Sequence, residues 1–273
     1  MPIVRDELNP KISMWHFLAH TQRFWREKEE LSLTQCGKIM GLARSTVSNM
    51  EAGRRRPQDD QMRLLDEHYG TGVLFRMLLW FARMAHDPDW GKQIAKYEEQ
   101  ATMIWMWHGQ VIPIALQTDD YSWAYVRAGS PKDYEASMQR RVARKRRFLD
   151  RVEKDELEIW ALVDEAVLAR QVGSREVMKA QMEHLLSLAD IPGVILRVVP
   201  FSAGAHLGVD GSVQIIRLDG RDIAYAGAQN GGRMIESPGE VRDLSVKVDR
   251  VGCMAASVDG SKEIIGQYLE RYS

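Results

Sequence analysis

The chain has only two cysteines in 273 residues, Cys36 and Cys253, 217 positions apart. That separation matches no metal-ligand spacing. Both lie in helical patterns, so each is expected to be a small buried hydrophobe, a usage that suits a reducing cytoplasm. Long apolar runs are also missing. The most apolar stretch, "GVLFRMLLWFARMA", is broken by Arg76 and Arg83 and is too short to span a bilayer. The start, "MPIVRDELNP", lacks the charged beginning followed by an apolar run that export requires. No Walker loop, no HExxH and no Cys/His cluster occurs, so the sequence calls for neither cofactor nor metal. An excess of one sign of charge is missing as well. The formal net charge is −1, so any affinity for a polyanion has to come from local charge.

Hydrophobic residues make up 45% and charged residues 27%, a globular composition, and the length is comfortable for two domains. Local charge is found near the N-terminus, where residues 13–57 hold 8 Lys/Arg against 4 Asp/Glu. Within them, Ser32-Leu33-Thr34-Gln35 forms a capping-box pattern that starts a helix. Leu33, Cys36, Gly37 and Met40 would face inward, and Gly41 would end the helix in the left-handed conformation. Leu42 then plugs the corner, and a second helix follows in "ARSTVSNME", with Val47 and Met50 inward. A further helix, Asp59 to Tyr69, covers this core with Met62, Leu65 and Tyr69.

Helix, glycine turn and a second helix with a narrow apolar stripe make a helix-turn-helix. Its outward residues are Arg44, Ser45, Thr46, Ser48 and Asn49. Short polar side chains let a helix approach base edges in a major groove about 12 Å wide. Arg reads guanine, Asn reads adenine and Ser suits either, so these five are the candidate base readers. Thr34, Gln35, Arg54, Arg55 and Arg56 are the candidate phosphate contacts, which position the protein without reading sequence.

"LSLTQCGKIMGLARSTVSNMEAGRRRP" resembles the XRE-type, lambda-repressor-like helix-turn-helix of bacterial transcription regulators. The chain departs from that pattern at several points. Cys36-Gly37 stands where Leu-Ala is usual, and Ala43 replaces a capping serine; both are expected to lower stability. Glu30 replaces a common glycine, and Asn49 stands where Arg is common, so the operator cannot be inferred from relatives.

Further along, Leu74–Ala85 reads as a helix, "HDPDWG" at 86–91 as a break, and Lys92–Trp107 as a helical stretch. Helices are also expected at Asp119–Ala128, after "GSPKD" at about 132–152, and in "SREVMKAQMEHLLSLA". "LEIWALVDE", "VILRVVPF", "SVQIIRL" and "DIAYA" read as strands, and two helices close the chain. The expected architecture is an all-α helix-turn-helix domain at 1–75. A helical connector and an α+β domain with a small mixed or antiparallel sheet follow at 76–273. "ALQTDDYSWAYVRAG", "IWALVDEAVLAR" and "HLLSLADIPGVILRVVPFSAGAHLGVDGSVQII" resemble the C-terminal domain of unknown function in actinobacterial WhiJ-like regulators. That resemblance implies a cytoplasmic transcription regulator, often considered with a small acidic partner protein and sometimes classed as antitoxin-like.

Three other constellations invite chemistry. Ser202, His206 and Asp210 are triad residue types, but three residues of one glycine-rich loop at a spacing of four are expected to be structural. Asp164 and Glu165 are adjacent on a strand end, face opposite ways and make a poor acid/base pair. Trp80, Trp90, Trp105, Trp107, Trp123 and Trp160 are expected mainly in cores. Arg140, Arg144, Arg147 and Arg151 fall on one helical stripe. They are either a solvated face paired with "EKDELE" downstream or a surface for flanking DNA or an acidic partner. Taken together, the sequence predicts a non-enzymatic, sequence-specific DNA-binding regulator that binds a double-stranded operator with inverted repeats as a homodimer, with no membrane segment. Residues 1–72 alone are expected to bind weakly. The alternatives are an antitoxin that neutralises a small protein and an enzyme acting on a small molecule through the C-terminal domain.

Overall fold

The computed structural model describes residues 8–85, 90–129, 133–228 and 232–273. The expected breaks at 86–91 and before 133 lie partly outside these residues, as does the Trp90 side chain. The chain divides into two compact units, Met1–Gly91 and Lys92–Ser273.

Among the described residues, the first unit is built from α1 (Met14–Lys28), α2 (Leu33–Met40), α3 (Arg44–Glu51), α4 (Asp59–Tyr69) and α5 (Leu74–Met84). Leu18 of α1, Cys36 and Met40 of α2, Val47 of α3, Met62 and Leu65 of α4, and Phe75 and Leu79 of α5 form one core. Each such side chain contributes about 1.5–3 kcal/mol on burial. Burial also pushes the Cys36 thiol above its ordinary value, which leaves it unreactive. Cys253, by contrast, is exposed at the end of a later helix, contrary to expectation, because the buried face of that helix is formed by Val241, Val248 and Val251.

Two joints in this unit are polar. Asp66 lies buried near the end of α4 and accepts hydrogen bonds from the backbone N–H groups of Phe75 (2.8 Å) and Arg76 (3.1 Å). It thereby caps the start of α5, with Thr71 Oγ1 donating at 2.7 Å. Burial pushes this carboxyl up, but the bonds from Thr71, Phe75 and Arg76 outweigh it, and the group ends below its ordinary value. The other joint follows α1. There Glu30 adopts φ 54°, the left-handed conformation, at the position where the resembled family has glycine.

From α6 (Trp90–Glu98) onward the chain forms an α+β unit. It continues through β1 (Met103–His108), α7 (Asp119–Ala128), α8 (Tyr134–Glu153), β2 (Glu158–Asp164), α9 (Ala166–Ala169), α10 (Arg175–Leu188) and β3 (Val194–Val199). Then come β4 (Val213–Leu218), β5 (Arg221–Ala226), β6 (Arg233–Ile235), α11 (Pro238–Gly252) and α12 (Val258–Tyr272). The strands form one six-stranded mixed sheet in the order β3-β2-β1-β4-β5-β6, so the expected α+β class holds. β1 pairs in parallel with β2 and antiparallel with β4.

β1 differs from the sequence reading, and the short strand β6 was not expected. The helix expected over Lys92–Trp107 stops at Glu98, and its second half is the central strand β1. The reason is visible in "MIWMWH": Ile104 and Met106 alternate with Trp105 and Trp107, a period of two that fills both faces of a sheet. α11 covers the face carrying Trp107, Val213, Ile215 and Ala224. The tryptophans are not uniformly core. Trp107 is buried, whereas Trp80 is 50% and Trp160 37% exposed.

Candidate nucleic-acid interface

The interface is built on α2, the Gly41 turn and α3. Ser32 and Gln35 form the expected capping box: the Ser32 N–H donates to Gln35 Oε1 (2.9 Å), and Gln35 N–H donates to Ser32 Oγ (3.3 Å). Gly41 closes α2 at φ 67°. The turn is tight because Leu42 N–H bonds the Gly37 carbonyl at 2.7 Å. A Cβ on Gly37 would sit 2.5 Å from the Leu42 carbonyl oxygen, so this turn requires the glycine that replaces the usual alanine. At Ala43, no side chain caps α3.

Val47 and Met50 anchor α3 in the core, at 0% and 1% exposure. That orientation sets the opposite face outward. Arg44 and Ser45 are exposed in the first turn, and Ser48 and Asn49, one turn further on, are half-buried, as is Thr46. Arg44 and Ser48, like Ser45 and Asn49, stand four apart and therefore on one face. After α3, the N–H groups of Arg54 (2.8 Å) and Arg55 (3.1 Å) both bond the Asn49 carbonyl, which ties the basic run to the end of the helix. Both side chains are exposed. Arg56 is different: its guanidinium stacks 4.1 Å from the Trp15 ring of α1, a cation–π contact that fixes its position. Thr34 and Gln35 are exposed in the first turn of α2, with the Gln35 Oε1 occupied by Ser32.

The sequence reading missed what holds α3 from behind. Arg26 of α1 makes a two-pronged ion pair with Glu51, Nε to Oε1 at 2.7 Å and Nη2 to Oε2 at 2.9 Å, and its Nη1 donates to the Leu31 carbonyl. Their side chains are 13% and 6% exposed. Removing either partner of such a buried pair costs about 3–5 kcal/mol. The spacing of Leu18, Gln22 and Trp25 was the available signal for α1, but no spacing pairs residues 26 and 51.

In the second unit, three of the four stripe arginines are engaged within the fold. Arg144 pairs with the buried Glu98 (Nε–Oε2 2.9 Å), Arg147 with Glu99, and Arg151 donates to the carbonyls of Glu98 and Glu156. Their carboxylate partners lie mostly upstream, in Glu98 at the end of α6 and Glu99 just after it, rather than in "EKDELE", although Arg151 also approaches Glu156 at 3.6 Å. Arg140 is exposed. The triad residue types do not converge. His206 Nδ1 accepts from Gly208 N–H and its Nε2 lies 3.0 Å from Asp164 Oδ2, so the imidazole is the anchor of a loop. Glu165 turns away from Asp164 to accept from Phe201 N–H (2.7 Å) and Tyr268 OH (2.8 Å). Among the described residues no group of His, Cys, Asp and Glu is arranged to hold a metal ion, and no helix is long and apolar enough to cross a membrane.

An anchored short-residue helix behind a glycine turn, flanked by arginines, defines a helix-turn-helix protein of the DNA-binding class. Comparison with known families agrees, since the helix-turn-helix domain matches residues 18–74. Residues 92–267, more than half of the chain, match the Domain of unknown function (DUF5753), and the chain belongs to that family. No curated protein and no solved structure matches it.

Proposed function

We propose that this protein is a sequence-specific transcription regulator of the XRE type that binds an inverted-repeat operator as a homodimer. The observation that carries the reading is the outer face of α3. Arg44 and Ser45 stand exposed on a helix locked from behind by Val47, Met50 and the Arg26–Glu51 pair. A reader must be rigid to discriminate bases, and short side chains admit it to the major groove. Arg54 and Arg55 extend from the end of that helix as phosphate contacts, with Arg56 held on Trp15 beside them. The likeness to WhiJ-like regulators supports a cytoplasmic, non-enzymatic role, with the second unit given to dimerisation, effector sensing or an acidic protein partner.

A competition binding assay on a selected operator tests the reading. Arg44→Ala is expected to cost about 1–3 kcal/mol on that site and to relax one base position. Arg55→Ala should weaken all sequences alike and flatten the salt dependence. Specific binding left unchanged by Arg44→Ala would overturn the assignment of α3 as the reading helix.

A further inference from the structure

We propose that the second unit binds a small, flat, uncharged and largely apolar molecule of about the size of indole, in a cavity of about 190 Å³ beside the end of β1. This inference goes beyond the DNA-binding reading and does not depend on it.

The site arises from the chain path. β1, β2 and β3 are parallel and end at the same edge of the sheet, and the chain then returns across that edge to start β4 on the far side of β1. Residues 200–212 make this crossing, and their hydrogen bonds mark the route. Phe201 N–H bonds Glu165 just past β2, His206 bonds Asp164 at the end of β2, and the Gly208 carbonyl accepts from Trp107 Nε1 (2.7 Å) near the end of β1. A strand order that runs outward and then reverses leaves a crevice at the strand ends, the place where open sheets bind ligands.

Here the crevice is a half-open pocket. Trp107 forms its floor, Val213 and Ala226 its sheet wall, and Leu244, Val248 and Val251 of α11 its roof. Gly208 lies flat on the indole, where a Cβ would stand 2.4 Å from the ring, so the crossing loop can pack only as glycine there. The lining is mostly apolar, and the Trp107 N–H is already bonded to Gly208. Its apolar walls hold water weakly, and an apolar cavity of about 150 Å³ takes up benzene. A somewhat larger one suits a fused pair of rings. At the mouth stand the exposed Asp210 and Lys247, one of each charge, which favour a polar but uncharged rim on the ligand.

Indole itself is the probe. Titrated into the full-length protein by calorimetry and ligand-observed NMR, it is expected to bind saturably at one site with a Kd on the order of 0.1–1 mM, as befits so few atoms. Tryptamine and indole carboxylate should bind no more tightly. Leu244→Trp, which places a side chain in the cavity from α11, should weaken binding at least about 10-fold by occupying the space. Ala226→Leu fills it from the sheet and serves if the first variant does not fold. Absence of saturable binding to the natural protein, or equal affinity in the filled variants, would overturn the proposal, as would a charged analogue that binds more tightly than indole. DNA binding enters none of these readings, so either proposal can fail alone.

Discussion

Glu30 and His108 are among the residues held in conformations or environments that cost free energy, and each yields a measurable consequence. Glu30 sits at φ 54° after the end of α1. A side chain with a Cβ pays about 1–2 kcal/mol in the left-handed region, whereas glycine enters it freely. Because Glu30 is exposed and its side chain has no hydrogen bond or ion pair among the described residues, Glu30→Gly is expected to raise stability by about 1 kcal/mol in chemical denaturation. A loss would show that Glu30 has a compensating role. His108, at the end of β1, has its Nε2 buried without a partner although the residue as a whole is half-buried. Burial, aided by the positive charge of Arg144, pushes its pKa down to about 4. The unfolded chain takes up this proton below about 6.5 while the folded chain does not, so folding loses stability as pH falls from about 6.5 towards 4, by up to about 3 kcal/mol. An NMR titration should find the His108 ring neutral at pH 5, and His108→Gln should flatten the pH dependence of stability in that window.

At the scale of elements, α8 shows how a charge pattern is reinterpreted by its neighbours. The stripe Arg140, Arg144, Arg147 and Arg151 reads as a free basic surface only while α6 is out of view. With α6 in place, Arg144 neutralises Glu98, whose side chain is 4% exposed, and Arg151 satisfies carbonyls at the end of α6. Burial still pushes the Glu98 carboxyl up against the pull of Arg144. Arg144→Glu would place a like charge beside a buried carboxylate and is expected to lower stability by about 3–5 kcal/mol, read as a fall in Tm. Arg140→Glu should leave Tm unchanged, and so it is the variant that isolates any contact with DNA or an acidic partner. Equal stability of the two variants would return the whole stripe to the role of a solvated face.

At the scale of the whole molecule, the proposed homodimer calls for a contact between two copies. One reading helix with a few phosphate contacts offers a single module's interface, and a second copy on the same duplex adds its own contacts at half-sites about 34–36 Å apart. α5 carries an unusual surface for that purpose. Met77, Trp80, Phe81 and Met84 are 43%, 50%, 51% and 47% exposed, and they lie at i, i+3, i+4 and i+7, one apolar stripe. The opposite side of α5 supplies Phe75 and Leu79 to the first core, so a fragment cut at residue 72 would lose part of its fold rather than only its dimer contact. Substitution in the full chain is the cleaner test. Trp80→Lys with Phe81→Lys is expected to leave the protein folded, shift it to monomer in sedimentation, and weaken operator binding by about 100-fold or more through loss of tethering. A dimer that survives the pair would move the contact to the second unit.

What the sequence determined by itself was local. The capping box at Ser32, the Gly41 turn, the inward Val47 and Met50, and α7 at Asp119–Ala128 rest on spacings of a few residues, and all of them stand in the structure. Four of the five strands after residue 157 were legible for the same reason, because β-rich runs between turn residues need no partner to be recognised, whereas the three-residue β6 was not read. Tertiary structure decided the rest. β1 looked helical because an apolar run of that length fits either period until β2 and β4 claim its two edges. The Arg26–Glu51 lock, the burial of Glu98 and the cavity over Trp107 join residues far apart in the chain. Their energies come from desolvation and packing, which arise only when distant segments exclude water together.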